Sequence, residues 1–420
     1  MKYPIYLLLV LMLCCSQSIM WLKALLLTVS MSLVCIKFCM YKPKWAYEKK
    51  YKVWFLLFFC SGLVTLLYGA IKGNPGVHYY YLIYLVWPIV FPFIFTQLDC
   101  GSLFKIVRLF EVSYVVLLIT GFVAFLQMNF GMFAFINIEL LGYELSELAR
   151  PMYLFISPSG PALVEFFILF SFLFSYYCLE SDKLTVKKTI LLLLGFVNIV
   201  ISSRRVMMLG FVYIPILLIL LTKWANYYKK EYSQRIMLVY ALPIVGLFFG
   251  IGYVFADIEN VSLFFSSAFS SDGDLGMEEN ARLDQRIALI KGWYDNFLFG
   301  AGTGVDAGVV RSDIPGIYEL SYYAILFERG LIGGVLYFML LLCPVIWAVR
   351  LVKKSTNRDS SAFLLSYAVC YISLLIANAT NPYIVAFDFM WVIFLFIAIL
   401  NIVEKTAIYE TKSLCDHKSV

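Results

Sequence analysis

The chain has 420 residues, 62% of them hydrophobic and 14% charged, and a formal net charge of +6. A soluble domain is about half apolar and about a quarter charged, so this composition excludes one. The positive balance does not point to nucleic acid, because the lysines and arginines lie mostly in short loops between apolar runs, where they set orientation in a bilayer.

Apolar runs of about 20 residues recur down the whole length, and each is long enough to cross a bilayer. The short alternating segments of a β-barrel are absent. The expected fold is therefore an all-α polytopic membrane protein. The 10 cysteines are scattered, mostly inside apolar runs, and His78 and His417 are the only histidines. With no CxxC pair and no histidine cluster, neither a disulfide framework nor a metal site is expected.

The first residues, MKYPIYLLLVLMLCCS, could pass for a signal peptide, but the spans that follow make them the first helix of a bundle. Twelve spans are predicted, at roughly 5–21, 24–40, 53–70, 79–96, 109–127, 161–179, 189–203, 206–222, 236–254, 322–349, 362–380 and 384–403. The basic loop Tyr41–Lys52 belongs in the cytoplasm. Alternation then puts both termini inside. It also puts Lys183/Lys187/Lys188, Lys223/Lys229/Lys230/Arg235 and Arg350/Lys353/Lys354/Arg358 inside, so one assumption accounts for four basic loops. Two outer loops are long, 128–160 and 255–321, and the second carries eleven acidic residues against four basic ones. No linker, repeat or low-complexity tail interrupts the chain. It reads as one membrane domain over 1–420 with an external subdomain at 255–321.

Several polar constellations interrupt this scaffold. Arg204 and Arg205 fall between the seventh and eighth spans, at or just below the outer surface. They read either as snorkelling helix ends or as a phosphate clamp, because guanidinium forks match phosphate oxygens. Arg282 and Arg286 share one face of a helix predicted over 279–296, together with Leu289 and Trp293. An anion held between the two would offset their repulsion; simple pairing with Glu278, Glu279 or Asp284 is the other reading. The run Gly300-Ala301-Gly302-Thr303-Gly304 is either a backbone nest for an anion or an ordinary turn. It has neither a following lysine nor a preceding strand, so it is no nucleotide loop.

Glu319 sits at the mouth of the tenth span. It has the chemistry of a general base for a sugar hydroxyl, or it is a surface carboxylate. Glu328 and Arg329, deeper in apolar surroundings, read as a structural pair or network. Glu165 and Asp388 are intramembrane acids, which read either as functional groups or as partners of an inward-facing arginine. Arg150-Pro151 to Pro161 forms a rigid outer entrance to the sixth span.

These features together resemble the O-antigen ligase/polymerase superfamily, the Wzy-type polymerases and related ligases of lipopolysaccharide and other bacterial surface polysaccharides. The matching residues are Ser203-Arg204-Arg205 after a short span, Arg282 and Arg286 ahead of Trp293 to Gly304, and Tyr318-Glu319 leading into Leu326-Phe327-Glu328-Arg329-Gly330-Leu331-Ile332-Gly333. The Arg150 to Pro158 stretch matches more weakly. The resemblance implies a GT-C-like membrane glycosyltransferase of the inner membrane that uses undecaprenyl-diphosphate donors and needs no metal or cofactor. It implies donor-diphosphate roles for Arg204, Arg205, Arg282 and Arg286. The ligase branch typically has a histidine where this chain has Glu319, which favours the polymerase branch.

The expected activity is polymerisation of undecaprenyl-diphosphate-linked oligosaccharide repeats at the outer face. Glu319 would act as base, arginines would steady the leaving diphosphate, and Arg150, Trp293, Gly302, Gly304 and Tyr318 would contact substrate. A flippase and a chain-length regulator are the implied partners besides the lipid bilayer. The alternatives are a flippase for the same lipid-linked oligosaccharide, or an O-antigen ligase. Internal repeats, usual in transporters, are absent.

Overall fold

The structure is a computed structural model that describes residues 2–15, 18–41, 47–138, 143, 164–180, 184–201, 205–240, 274–309 and 316–416. Arg150, Ser203 and Arg204 lie outside these residues, as do the entrance to the sixth span and most of the expected ninth span. The described residues are helical, without a strand. Among the described residues, seven helices are long and apolar enough to cross a membrane: Met20–Met40, Lys49–Lys72, Val77–Phe95, Cys100–Phe130, Ser321–Lys354, Arg358–Ala377 and Phe387–Ala407. The chain is thus a polytopic helical membrane protein. Tyr3–Cys14, Phe166–Leu179 and Leu209–Trp224 are apolar but shorter.

We number the helices α1 (Tyr3–Cys14), α2 (Met20–Tyr41), α3 (Lys49–Lys72), α4 (Trp87–Phe95), α5 (Cys100–Phe130), α6 (Ser171–Leu179), α7 (Val186–Ile201), α8 (Arg205–Trp224), α9 (230–240), α10 (Asp274–Asp295), α11 (Ser321–Lys354), α12 (Arg358–Ala377) and α13 (Phe387–Asp416). Short π-helical turns at Leu82–Val86 and Glu165–Phe170 lead into α4 and α6. Local chemistry sets several ends. Asp99 and Ser102 form a capping box at the start of α5, and Asn357 caps α12 through Ser360 N–H at 3.0 Å. The first expected span is shorter than predicted, because twelve residues of α1 reach only about 18 Å.

α12 and α13 form the centre of the bundle. Aromatic rings fill the space around α13: Phe394 packs on Phe58 at 5.6 Å and on Phe91 at 5.9 Å. The bundle has a basic end. There Lys50 and Tyr51 both bond to Glu404 at 2.7 Å, Arg235 donates to the carbonyl of Glu180 at 2.8 Å, and Tyr227 donates to that of Arg358 at 3.1 Å. Four of the basic loops therefore converge on one end. Asp388 pairs with Lys23 at 2.6 Å, and both are buried. Lys23 was expected in a loop, but α2 begins at Met20 and carries it inside the helix. A buried ion of this kind needs its counter-ion, since each charge alone would be costly to desolvate.

The expected tenth span is not one straight helix. Gly330 has φ 64° and ψ −172°, a conformation that only glycine adopts readily. The two arms of α11 fold towards each other about this point. The rings of Tyr322 and Phe338 lie 5.5 Å apart, whereas sixteen residues of straight helix would separate them by about 24 Å. A Cβ on Gly334 would meet the Leu326 side chain at 2.9 Å. The span proper is therefore 331–354, about 36 Å long, and Ser321–Arg329 is a separate short arm. Gly330→Ala would force a left-handed residue and drive its Cβ to 2.4 Å from Gly300 N and Leu298 O. We expect it to cost at least about 2 kcal/mol, read as loss of monodisperse protein in detergent on size-exclusion chromatography.

Candidate active site

The break in α11 exposes main-chain donors and acceptors that a straight helix would have satisfied. The strap 296–304 supplies their partners. Ala301 N–H donates to Phe327 O at 2.8 Å and Gly302 N–H to Glu328 O at 2.9 Å. In return Leu331 and Ile332 N–H donate to Phe297 O and Leu298 O at 2.8 and 3.2 Å. The strap is also tied to the α3 end of the bundle. Thr303 N–H reaches Thr65 O at 3.1 Å and Gly76 N–H reaches Gly304 O at 2.9 Å. The Asn74 amide donates to the carbonyls of Ala301, Gly302 and Thr303 at 3.0–3.2 Å.

This arrangement corrects the anion-nest reading of the glycine run. Gly300 N–H goes to Asn296 O, Gly304 N–H goes to the Glu328 carboxylate at 3.0 Å, and the three between are engaged as above. All five N–H groups have protein acceptors, so Gly302 and Gly304 are framework positions. Gly302 has φ 87° and its missing Cβ leaves room for the backbone of Gly69, 2.6 Å from where that atom would lie. Tyr318 is framework too. It is buried, donates to Val305 O at 2.6 Å and accepts from Ala307 N–H at 2.7 Å. Burial pushes its phenol well above the usual range, which keeps it protonated as a donor.

Glu328 and Arg329 form the expected buried network, but they turn to different partners. The Arg329 guanidinium donates to Ser61 Oγ at 2.8 Å and lies over the rings of Tyr337 and Tyr84 at 4.2 and 5.0 Å.

The strap fixes the end of α10, and α10 then lies along the short arm of α11. Gly292 lets the Phe327 ring approach, and Leu289 is buried with Ala301, Tyr318 and Phe327. From the same helix face, one turn apart, two polar side chains grip the segment before α11. Gln285 Oε1, fully buried, accepts from Leu320 N–H at 3.1 Å. Arg282 Nε donates to Glu319 Oε2 at 2.9 Å, with side-chain exposures of 40% and 26%. Nη1 and Nη2 of Arg282 make no hydrogen bond to another described side chain. A reachable carboxylate thus sits beside a guanidinium with donors to spare, an arrangement that can accept a proton and hold an anion at one place.

No family model and no curated protein matches the chain. Arg286 lies one turn beyond Arg282, in a groove with Lys291, Tyr294 and Tyr323. Trp293 is half-buried against Tyr294 and Phe297, each at 5.4 Å. Arg205 heads α8, and neither its side chain nor that of Glu165 is among the described ones.

Sequence reasoning missed Asn74, Gln285 and Lys291. Gln285, polar and three residues from Arg282 on the Leu289 face, was the readable signal. Because the Arg282–Glu319 contact is half-exposed, its coupling in stability should be only about 0.2–1 kcal/mol. A double-mutant cycle of Arg282→Ala and Glu319→Ala on thermal unfolding in detergent measures it; a much larger value would make the pair structural.

Proposed function

We propose that the chain is a polymerase of undecaprenyl-diphosphate-linked oligosaccharide repeats, an inner-membrane glycosyltransferase of the O-antigen ligase/polymerase type. The observation that carries this reading is the half-exposed contact between Arg282 of α10 and Glu319, just before the short arm of α11. In the proposed reaction the acceptor hydroxyl attacks the anomeric carbon of the donor glycan. Its proton passes to Glu319. The bond from the anomeric carbon to the diphosphate oxygen breaks, and the electron pair leaves with the undecaprenyl diphosphate. Arg282 and Arg286 offset the charge that grows on that leaving group, acting as fixed cations in place of a metal ion. Arg204, Arg205 and Arg150 are assigned to the same substrate on the resemblance alone.

The orientation of the site belongs to the same proposal. Basic loops gather at one end of the bundle, and the acidic segment that bears Glu319 lies outside that cluster. This supports a twelve-span, C-type bundle with both termini cytoplasmic and the site on the periplasmic face. A flippase would supply the lipid-linked repeat, and a chain-length regulator would act on the product. The flippase reading of the chain itself is weaker. Transporters place substrate at broken helices, but here the break is closed by the strap, and its main-chain donors are engaged within the protein.

A deletion strain complemented with variants tests the proposal on a gel of surface polysaccharide. Loss of the ladder to lipid core plus one repeat, with rescue by wild type, is expected. Glu319→Ala and Arg282→Lys should each leave at least about tenfold less polymer, the latter because a point charge does not replace a guanidinium fork. If even the single repeat disappears in the deletion strain, the polymerase reading fails.

A further inference from the structure

α10 has two apolar faces. One, with Gln285, Leu289 and Gly292, is buried against the short arm of α11 and the strap. The other consists of Leu283, Ile287, Ile290 and Tyr294, spaced four, three and four residues apart, which is a single helical stripe. It is not covered: Leu283, Ile287 and Tyr294 are 42%, 55% and 66% exposed. Arg286 borders the stripe on one side and Lys291 on the other. Arg286, Ile287, Ile290, Lys291 and Tyr294, with Tyr323 from α11, line a shallow open groove of about 470 Å³. The groove begins one helical turn, about 6 Å, beyond Arg282.

The groove combines two chemistries. An apolar stripe flanked by cations fits a lipid that carries phosphate, the apolar side chains taking the chain and the cations taking the headgroup oxygens. A soluble anion would leave the stripe wet, and a neutral sugar would leave both cations without a partner.

We infer that this groove seats the lipid diphosphate of the donor. Arg286 and Lys291 hold the diphosphate, and Ile287, Ile290 and Tyr294 take the first isoprene units. The inference rests on the glycosyltransferase reading above and adds to it a lipid path and a cation, Lys291, that receives the leaving group. It also gives Arg286, which lines the groove, a ligand.

The test is a titration of the full chain in zwitterionic nanodiscs with farnesyl diphosphate, inorganic diphosphate and farnesol. Lys291 is exposed, so its variants should fold. Farnesyl diphosphate should bind wild type more tightly than either inorganic diphosphate or farnesol. Lys291→Ala should weaken it roughly tenfold, and Lys291→Arg should restore it. Ile287→Ser/Ile290→Ser should weaken farnesyl diphosphate severalfold and leave inorganic diphosphate unchanged. Wild-type affinity in both the alanine and the double serine variants would overturn the inference. So would equal binding of inorganic and farnesyl diphosphate, which marks an anion site only. Loss of binding on changing the nanodisc to phosphatidylglycerol would assign the groove to bulk anionic lipid and overturn it as well. No glycan is present in this titration. A full ladder from Glu319→Ala would therefore sink the polymerase mechanism without touching the groove, and a failed titration would leave the ladder result standing.

Discussion

Four main-chain hydrogen bonds join the strap 297–302 to the tip of the broken α11, and the position of every candidate catalytic side chain follows from them. A helix interrupted at Gly330 has carbonyls at Phe327 and Glu328 and N–H groups at Leu331 and Ile332 without helical partners. Buried and unpaired, each would cost about 1–3 kcal/mol. The strap satisfies both sets at once. It can do so only because α10 ends just before it, so the closure sets the distance between α10 and the short arm. Arg282 and Glu319, 37 residues apart in sequence, meet as a consequence. The Asn74 amide then fixes the strap to the α3 end of the bundle through three carbonyls. The site is thus held by rigid helices through a short hydrogen-bonded link, an arrangement suited to fixed charges.

Outside this region the bundle follows simpler rules. Apolar faces are buried around α12 and α13, and charge is kept to the ends. The exception among the described side chains is Lys23–Asp388. The pair links α2 to the start of α13, and both charges are buried. Such pairs are weak evidence for stability and better evidence for a fixed register between two helices.

Much of the fold was legible in the sequence because bilayer-length apolar runs and basic loops report directly on solvent preference. The limits were set by contacts that are not local. Residues 322–349 are continuously apolar apart from Glu328 and Arg329, so they read as one span; nothing in their composition announces that a strap thirty residues earlier closes a break at Gly330. The glycine run left an anion nest and an ordinary turn open because its own sequence is consistent with both. Three of its N–H groups are taken by carbonyls of α3 and α11, and a fourth by the Glu328 carboxylate, partners that no local pattern specifies. Asn74 lies in Gly73-Asn74-Pro75-Gly76, plainly a turn, but the identity of what that turn holds is tertiary information. Arg282 and Glu319 were each recognisable from residue type and setting; their contact was not. Lys23 was misplaced because a span boundary drawn three or four residues late puts a helical lysine into a loop.

Two arginine–carboxylate sets occupy the same part of the molecule, and their surroundings separate their roles. Arg329 and Glu328 are buried, and their partners are a serine, two tyrosine rings and a main-chain N–H. Nε and Nη2 of Arg329 have no hydrogen-bond acceptor, but the guanidinium is enclosed with the Tyr84 and Tyr337 rings, and a substrate could reach it only by displacing packed side chains. Arg282 and Glu319 are partly exposed and joined through one guanidinium nitrogen. Water screens that contact, so it adds little to folding. The same accessibility lets an incoming phosphate or hydroxyl compete for it without disturbing the helices. The buried set shapes the break, and the reachable set beside it is the one that chemistry can use.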